Sequence, residues 1–125
     1  LSVEVLFETG DLKSAAAQFG WAAQHARDAG TRDLARLRQA LVLVEEKSYD
    51  EALKLLAVPP APSFAARYHE LRGDILAAQG KGGEARAAYE EAVKALETSR
   101  KAEGLPPGPY LEILRTKRDA SGARP

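Results

Sequence analysis

Residues 71 to 96 constrain the fold most. Within them Ala85, Ala88, Tyr89, Ala92, Val93 and Leu96 recur at steps of three and four, the spacing that lines up one stripe of a 3.6-residue helix. Glu84, Arg86, Glu90, Glu91 and Lys94 fall on the other side. A stripe of this kind is stable in water only against a partner. Leu71, Ile75 and Leu76 on the preceding segment supply one, with Gly73 letting two backbones approach and Gly80 to Gly83 forming the turn between them.

The set Leu76, Gly80, Ala85 and Tyr89 can be read twice more upstream, as Leu43, Lys47, Ala52 and Leu56 and as Leu6, Gly10, Ala15 and Phe19. Small and large residues alternating around a turn, repeated in phase, resemble the tetratricopeptide repeat, a helix pair of about 34 residues. The expected fold is all-α, a helical-repeat solenoid of about three helix pairs spanning residues 1 to 120, the first pair truncated. A C-terminal capping helix covers the end of the stack, and residues 121 to 125 are expected to be a disordered tail.

Taken in order, Leu1 to Thr9 is read as the tail of a truncated first helix, so the chain is expected to be a fragment. A helix from Leu12 is expected to run to about Ala29, stopped by Gly30, with Gly20 as a defect inside it. Thr31 or Asp33 is expected to cap the next helix, which runs to about Glu46 and is apolar on more than one stripe. After a turn at Lys47 to Tyr49, Asp50 is expected to cap a short helix that Pro59, Pro60 and Pro62 terminate. A helix over Ser63 to Gln79, another from 83 to about 101, a rigid connector from Gly104 to Pro109 and a last short helix from Tyr110 to Asp119 complete the chain.

Bulk properties narrow the function. Eighteen basic residues balance 18 acidic ones, so no overall field draws the chain to nucleic acid or an anionic membrane. With no cysteine, disulfides and thiolate metal sites are excluded. His25 and His69, the two histidines, have no metal-ligand spacing, and no residues converge as a catalytic group does. Gly80-Lys81-Gly82-Gly83 lacks the Gly-Lys-Ser/Thr ending of a phosphate-binding loop, no strand precedes it, and it reads as a turn. No cofactor, metal or catalytic residue is therefore expected. No stretch reaches the roughly 18 to 20 apolar residues of a membrane-spanning helix.

Several segments together give a narrower resemblance: Gln18 to Trp21, Arg32 to Arg38, Tyr49 to Leu53, Glu70 to Leu76, Ala85 to Tyr89, and Leu114 to Asp119. They resemble the bacterial inner-membrane protein family that accompanies the Sec translocon, which carries an N-terminal membrane helix and a periplasmic tetratricopeptide-like domain. Gln39, where a leucine is expected, and Gly20 depart from the pattern. The resemblance implies a non-catalytic protein-interaction domain facing the periplasm at the inner membrane. Its implied partners are the translocon, a prolyl-isomerase-type chaperone and client chains, with membrane contact only through an anchor outside this chain. Other readings are a periplasmic repeat protein that coordinates cell division with envelope constriction, and a self-associating scaffold.

In such repeats the first helix of each pair lines the inner side. The candidate partner-binding groove is accordingly Phe7, Leu34, Leu37, Leu41, Val44, Arg67, Glu70 and Asp74, an apolar strip flanked by carboxylates and one arginine. The alternative is that the leucines are packed beneath a neighbouring or capping helix. Trp21 is read as packing on the next repeat, and Arg32, Arg36 and Arg38 as solvated or ion-paired surface.

Overall fold

The structure is a computed structural model that describes residues 12–25 and 28–122. Its six helices are α1 (Leu12–His25), α2 (Ala29–Glu45), α3 (Tyr49–Leu56), α4 (Pro62–Ala78), α5 (Gly82–Ala102) and α6 (Pro109–Ala120), with no strand among the described residues. They group into two compact units, residues 1–61 and 62–125. The expected first helix, Leu1 to Thr9, lies outside the described residues.

In the first unit α1 packs on α2 and α2 on α3. Ala15, Phe19 and Val42 form the core between α1 and α2. Gly20 and Gln39, the two departures from the family pattern, lie against each other. A β-carbon on Gly20 would come 3.2 Å from the Gln39 amide nitrogen, so the missing side chain of one makes room for the longer polar chain of the other.

Helix α2 starts earlier than its sequence suggests. Asp28 is its cap, its carboxylate accepting from the Thr31 amide at 2.8 Å and the Thr31 hydroxyl at 2.9 Å, and Gly30 is helical rather than a terminator. These bonds hold the Asp28 carboxyl below its ordinary range. Asp33, an expected cap, is instead buried within α2. It accepts from the Ala61 amide at 2.8 Å and pairs with Arg36 at 3.3 Å, which ties the proline-rich connector back to α2. Ser48, not Asp50, occupies the cap position of α3, and Asp50 lies in its first turn where a negative charge suits the helix dipole.

The second unit repeats the local design with a longer second helix, 21 residues in α5 against 8 in α3. Its α4 packs on α5 and α5 on α6. Gly73 lies under the Tyr89 ring: a β-carbon there would sit 2.5 Å from Cε1. Leu111 and Leu114 of α6 are buried with Ala66, Ala92 and Val93. Arg86 reaches from α5 to the carbonyl oxygen of Arg118 at 3.0 Å, and Ser121 and Gly122 close α6 in a turn. The remainder of the expected tail, 123–125, lies outside the described residues.

The internal repetition is exact enough to see in the backbone. Lys47 and Gly80 both take left-handed conformations, at φ 61° and 77°. The next amide in each case, Ser48 or Lys81, donates back to Leu43 or Leu76 at 2.8 and 2.9 Å. Ala15, Ala52 and Ala85 are each fully buried, and Phe19, Leu56 and Tyr89 nearly so.

Two substitutions test this packing. Gly73→Ala drives a methyl into the Tyr89 ring and is expected to cost about 1–3 kcal/mol in chemical denaturation. Lys47→Gly relieves a left-handed non-glycine residue and is expected to stabilise by about 1 kcal/mol.

Candidate functional site

Of the eight residues expected to line a groove, Phe7 lies outside the described residues. The other seven divide by unit. On α2, Leu34 and Leu41 are exposed at 36% and 41%, Leu37 is buried and Val44 is half-buried. On α4, Arg67 is exposed while Glu70 and Asp74 are half-buried.

The α4 residues are brought together by the chain's own last helix. Tyr110 donates its hydroxyl to Glu70 at 2.6 Å, and Lys117 places its ammonium 2.8 Å from Glu70 and 3.1 Å from Asp74. Tyr89 donates to Asp74 at 2.6 Å. The Arg67 guanidinium stands 5.2 Å over the Tyr110 ring. Glu70 and Asp74, expected to flank an open groove, thus converge on donors of α5 and α6.

The electrostatics follow from the packing. Burial, then the bonded carboxylates, push the Tyr89 and Tyr110 hydroxyls well above the ordinary tyrosine value of 10.0. For Lys117 burial acts to lower the pKa, but the bonds to Glu70 and Asp74 outweigh it and the value is raised. His69 lies elsewhere on α4 with its Nδ1 2.9 Å from the Arg72 guanidinium, and burial followed by that charge lowers its pKa. Among the described residues no group of three or more acidic, histidine or cysteine side chains could hold a metal ion.

The first unit presents a different surface. Thr31, Leu34, Arg38, Leu41 and Glu45 are all exposed, and their steps of three and four set them on one stripe of α2. Beside Thr31, Leu34 and Arg38 lies an open depression of about 500 Å³, lined also by Gln18, Phe19, Trp21 and Ala35. Trp21 is 65% exposed there, contrary to the expectation that it packs on a neighbouring repeat. The reason is angular: two residues beyond Phe19, it points about 200° away from the side that meets Val42. Arg38 and Trp21 were not in the expected groove, although the three-four spacing of residues 31 to 45 was there to be read.

The repeat register relates the two surfaces. Counting from Leu43 and Leu76, positions 34, 37 and 41 of α2 match 67, 70 and 74 of α4. One unit has three leucines where the other has an arginine and two carboxylates.

A family model described as a tetratricopeptide repeat-like domain matches residues 1–120. The chain belongs to this tetratricopeptide repeat-like family. It is also similar to a protein of Neisseria gonorrhoeae (strain ATCC 700825 / FA 1090) named ancillary SecYEG translocon subunit, 36% identical over 74 residues. Those residues are 59% of this chain and 35% of that protein, so the match spans about a third of the relative's length. No solved structure matches. Among the described residues of the tetratricopeptide-like chain, no helix is long and apolar enough to cross a membrane.

The α6 contacts carry a pH dependence. Above about pH 10 an unfolded tyrosine releases its proton while Tyr89 and Tyr110 in the fold retain theirs, so the unfolded state binds fewer protons and stability falls as pH rises. The raised Lys117 acts in the same direction, its contribution being lost at still higher pH. Denaturation followed at pH 7 and pH 11 is expected to show the loss. Tyr110→Phe is expected to cost about 1–2 kcal/mol at pH 7 and to flatten the alkaline decline.

Proposed function

We propose that this domain is a non-catalytic protein-interaction module of an ancillary Sec translocon subunit. It faces the periplasm at the inner membrane and docks a prolyl-isomerase-type chaperone or a secreted chain in transit. The observation that carries the docking role is the exposed stripe of α2, with Leu34 and Leu41 open beside Trp21. Apolar side chains grouped in this way mark surfaces that bind other proteins. The translocon assignment is supported by the similarity to the Neisseria protein of that name and by the tetratricopeptide-like family match.

Leu34, Leu37, Leu41 and Val44 of α2 form the apolar part of the proposed surface. In the second unit, the Glu70 and Asp74 carboxylates proposed as partner contacts are engaged by Tyr110 and Lys117. A partner therefore gains more from α2 than from α4. Leu37 is buried and contributes by shaping the surface under Leu34 and Leu41.

A photo-crosslinking residue at position 41 of the full-length protein, in native membranes, tests the reading. Crosslinks to a translocon subunit or a periplasmic chaperone are expected, and Leu41→Asp should reduce co-purification of the same partner at least tenfold with helical content unchanged. Recovery of crosslinks to the protein itself alone would contradict it.

A further inference from the structure

We propose that the occupant of the α2 surface is an amphipathic helix carrying a carboxylate that faces Arg38 and, seven residues away, a cationic side chain that faces Glu45. The proposal rests on the docking role assigned above and specifies the chemistry of what docks.

Spacing favours a helix. The exposed residues 31, 34, 38, 41 and 45 step three, four, three and four along α2, the arrangement of a coiled-coil seam. At about 1.5 Å per residue these steps rise about 4.5 and 6 Å, and a partner helix presenting its own three-four ridge rises by the same amounts. An extended chain presents one face every second residue, about 6.8 Å apart, and slips out of register by roughly 1.5 Å at each step. Nor do exposed helices offer the open strand edge on which an extended peptide is usually held. The 17 residues of α2 give a seam of about 25 Å, room for four to five turns of partner. At one end, the depression walled by Phe19, Trp21 and Leu34 can take a large apolar side chain from the partner's ridge.

Charge then selects among helices. Arg38 stands between Leu34 and Leu41, and Glu45 follows one step beyond, so both lie on the seam rather than outside it. Neither has a hydrogen-bond or ion-pair partner among the described residues, whereas Arg36 on the opposite side is paired with Asp33. A wholly apolar ridge laid on this seam would strip water from the Arg38 guanidinium and give nothing back. A carboxylate at that level supplies a bidentate partner, and a lysine or arginine at the Glu45 level completes the match and fixes the register.

The test uses fluorescein-labelled synthetic peptides and the full-length protein in detergent, read by anisotropy. One helical peptide has leucines at three-four spacing with glutamate and lysine placed to face Arg38 and Glu45. A second exchanges the glutamate and lysine, and a third has the composition of the first with prolines inserted to prevent a helix. The first peptide is expected to bind roughly fivefold more tightly than the second, as two partly exposed ion pairs allow, and the third not at all. The double variant Arg38→Glu with Glu45→Lys should reverse the preference between the first two. Equal binding of the three, a preference that ignores the charge reversal, or binding of none would overturn the proposal. If position 41 still crosslinks to a translocon subunit or chaperone in any of those cases, docking stands and only the nature of the occupant is refuted.

Discussion

Tyr89 is the joint on which the second unit depends. Its ring lies over Gly73 of α4, its hydroxyl donates to Asp74, and Asp74 in turn accepts from Lys117 of α6, whose ammonium stands 6.0 Å from the same ring. One aromatic side chain from α5 thus couples the close crossing of two helices to the seating of a third. The apolar contribution comes from Leu111 and Leu114, both fully buried. The polar contacts decide register, because Tyr110 and Lys117 reach Glu70 together only when α6 lies at one position along α4.

The first unit uses the same register without that chemistry. Leu56 stands at the Tyr89 position and has no hydroxyl to give, and leucines replace the charged set of α4. Ala15, Phe19 and Val42 form part of its core, and the buried carboxylate of Asp33 holds the connector to α2. What this leaves is an apolar and partly charged stripe of α2 open to water, next to an exposed tryptophan. The second unit engages its α4 carboxylates with α6, while the α2 stripe of the first unit is exposed, a contrast suited to binding.

Much of this was legible in the sequence because repeat packing depends on residue size at fixed spacing. Ala15, Ala52 and Ala85 are in phase in the sequence, and all three are fully buried. Lys47 was aligned with Gly80, and the two share a backbone conformation that a lysine rarely takes. Helix starts were less legible, since Asp28, Thr31 and Asp33 are all capable caps and only the bond from the Thr31 amide distinguishes them. The surroundings of the candidate residues were half legible. Periodicity places Leu34, Glu70 and Asp74 on their helices but says nothing of which long-range partner takes them, and Lys117 lies 43 and 47 residues away from the two carboxylates it binds. Trp21, expected to pack on the next repeat, is instead 65% exposed, because its spacing from Phe19 shows that it leaves the buried stripe but not what it meets.

Hydroxyl-radical footprinting of the full-length protein reads the contrast between the two units residue by residue. Trp21, Leu34 and Leu41 are expected to be oxidised quickly, while Tyr89, Leu111 and Leu114 are protected to the level of the buried Ile75. Protection of Trp21, Leu34 and Leu41 equal to that of Ile75, or rapid oxidation of Leu111 and Leu114, would contradict an open first unit and a second unit closed by its own helix.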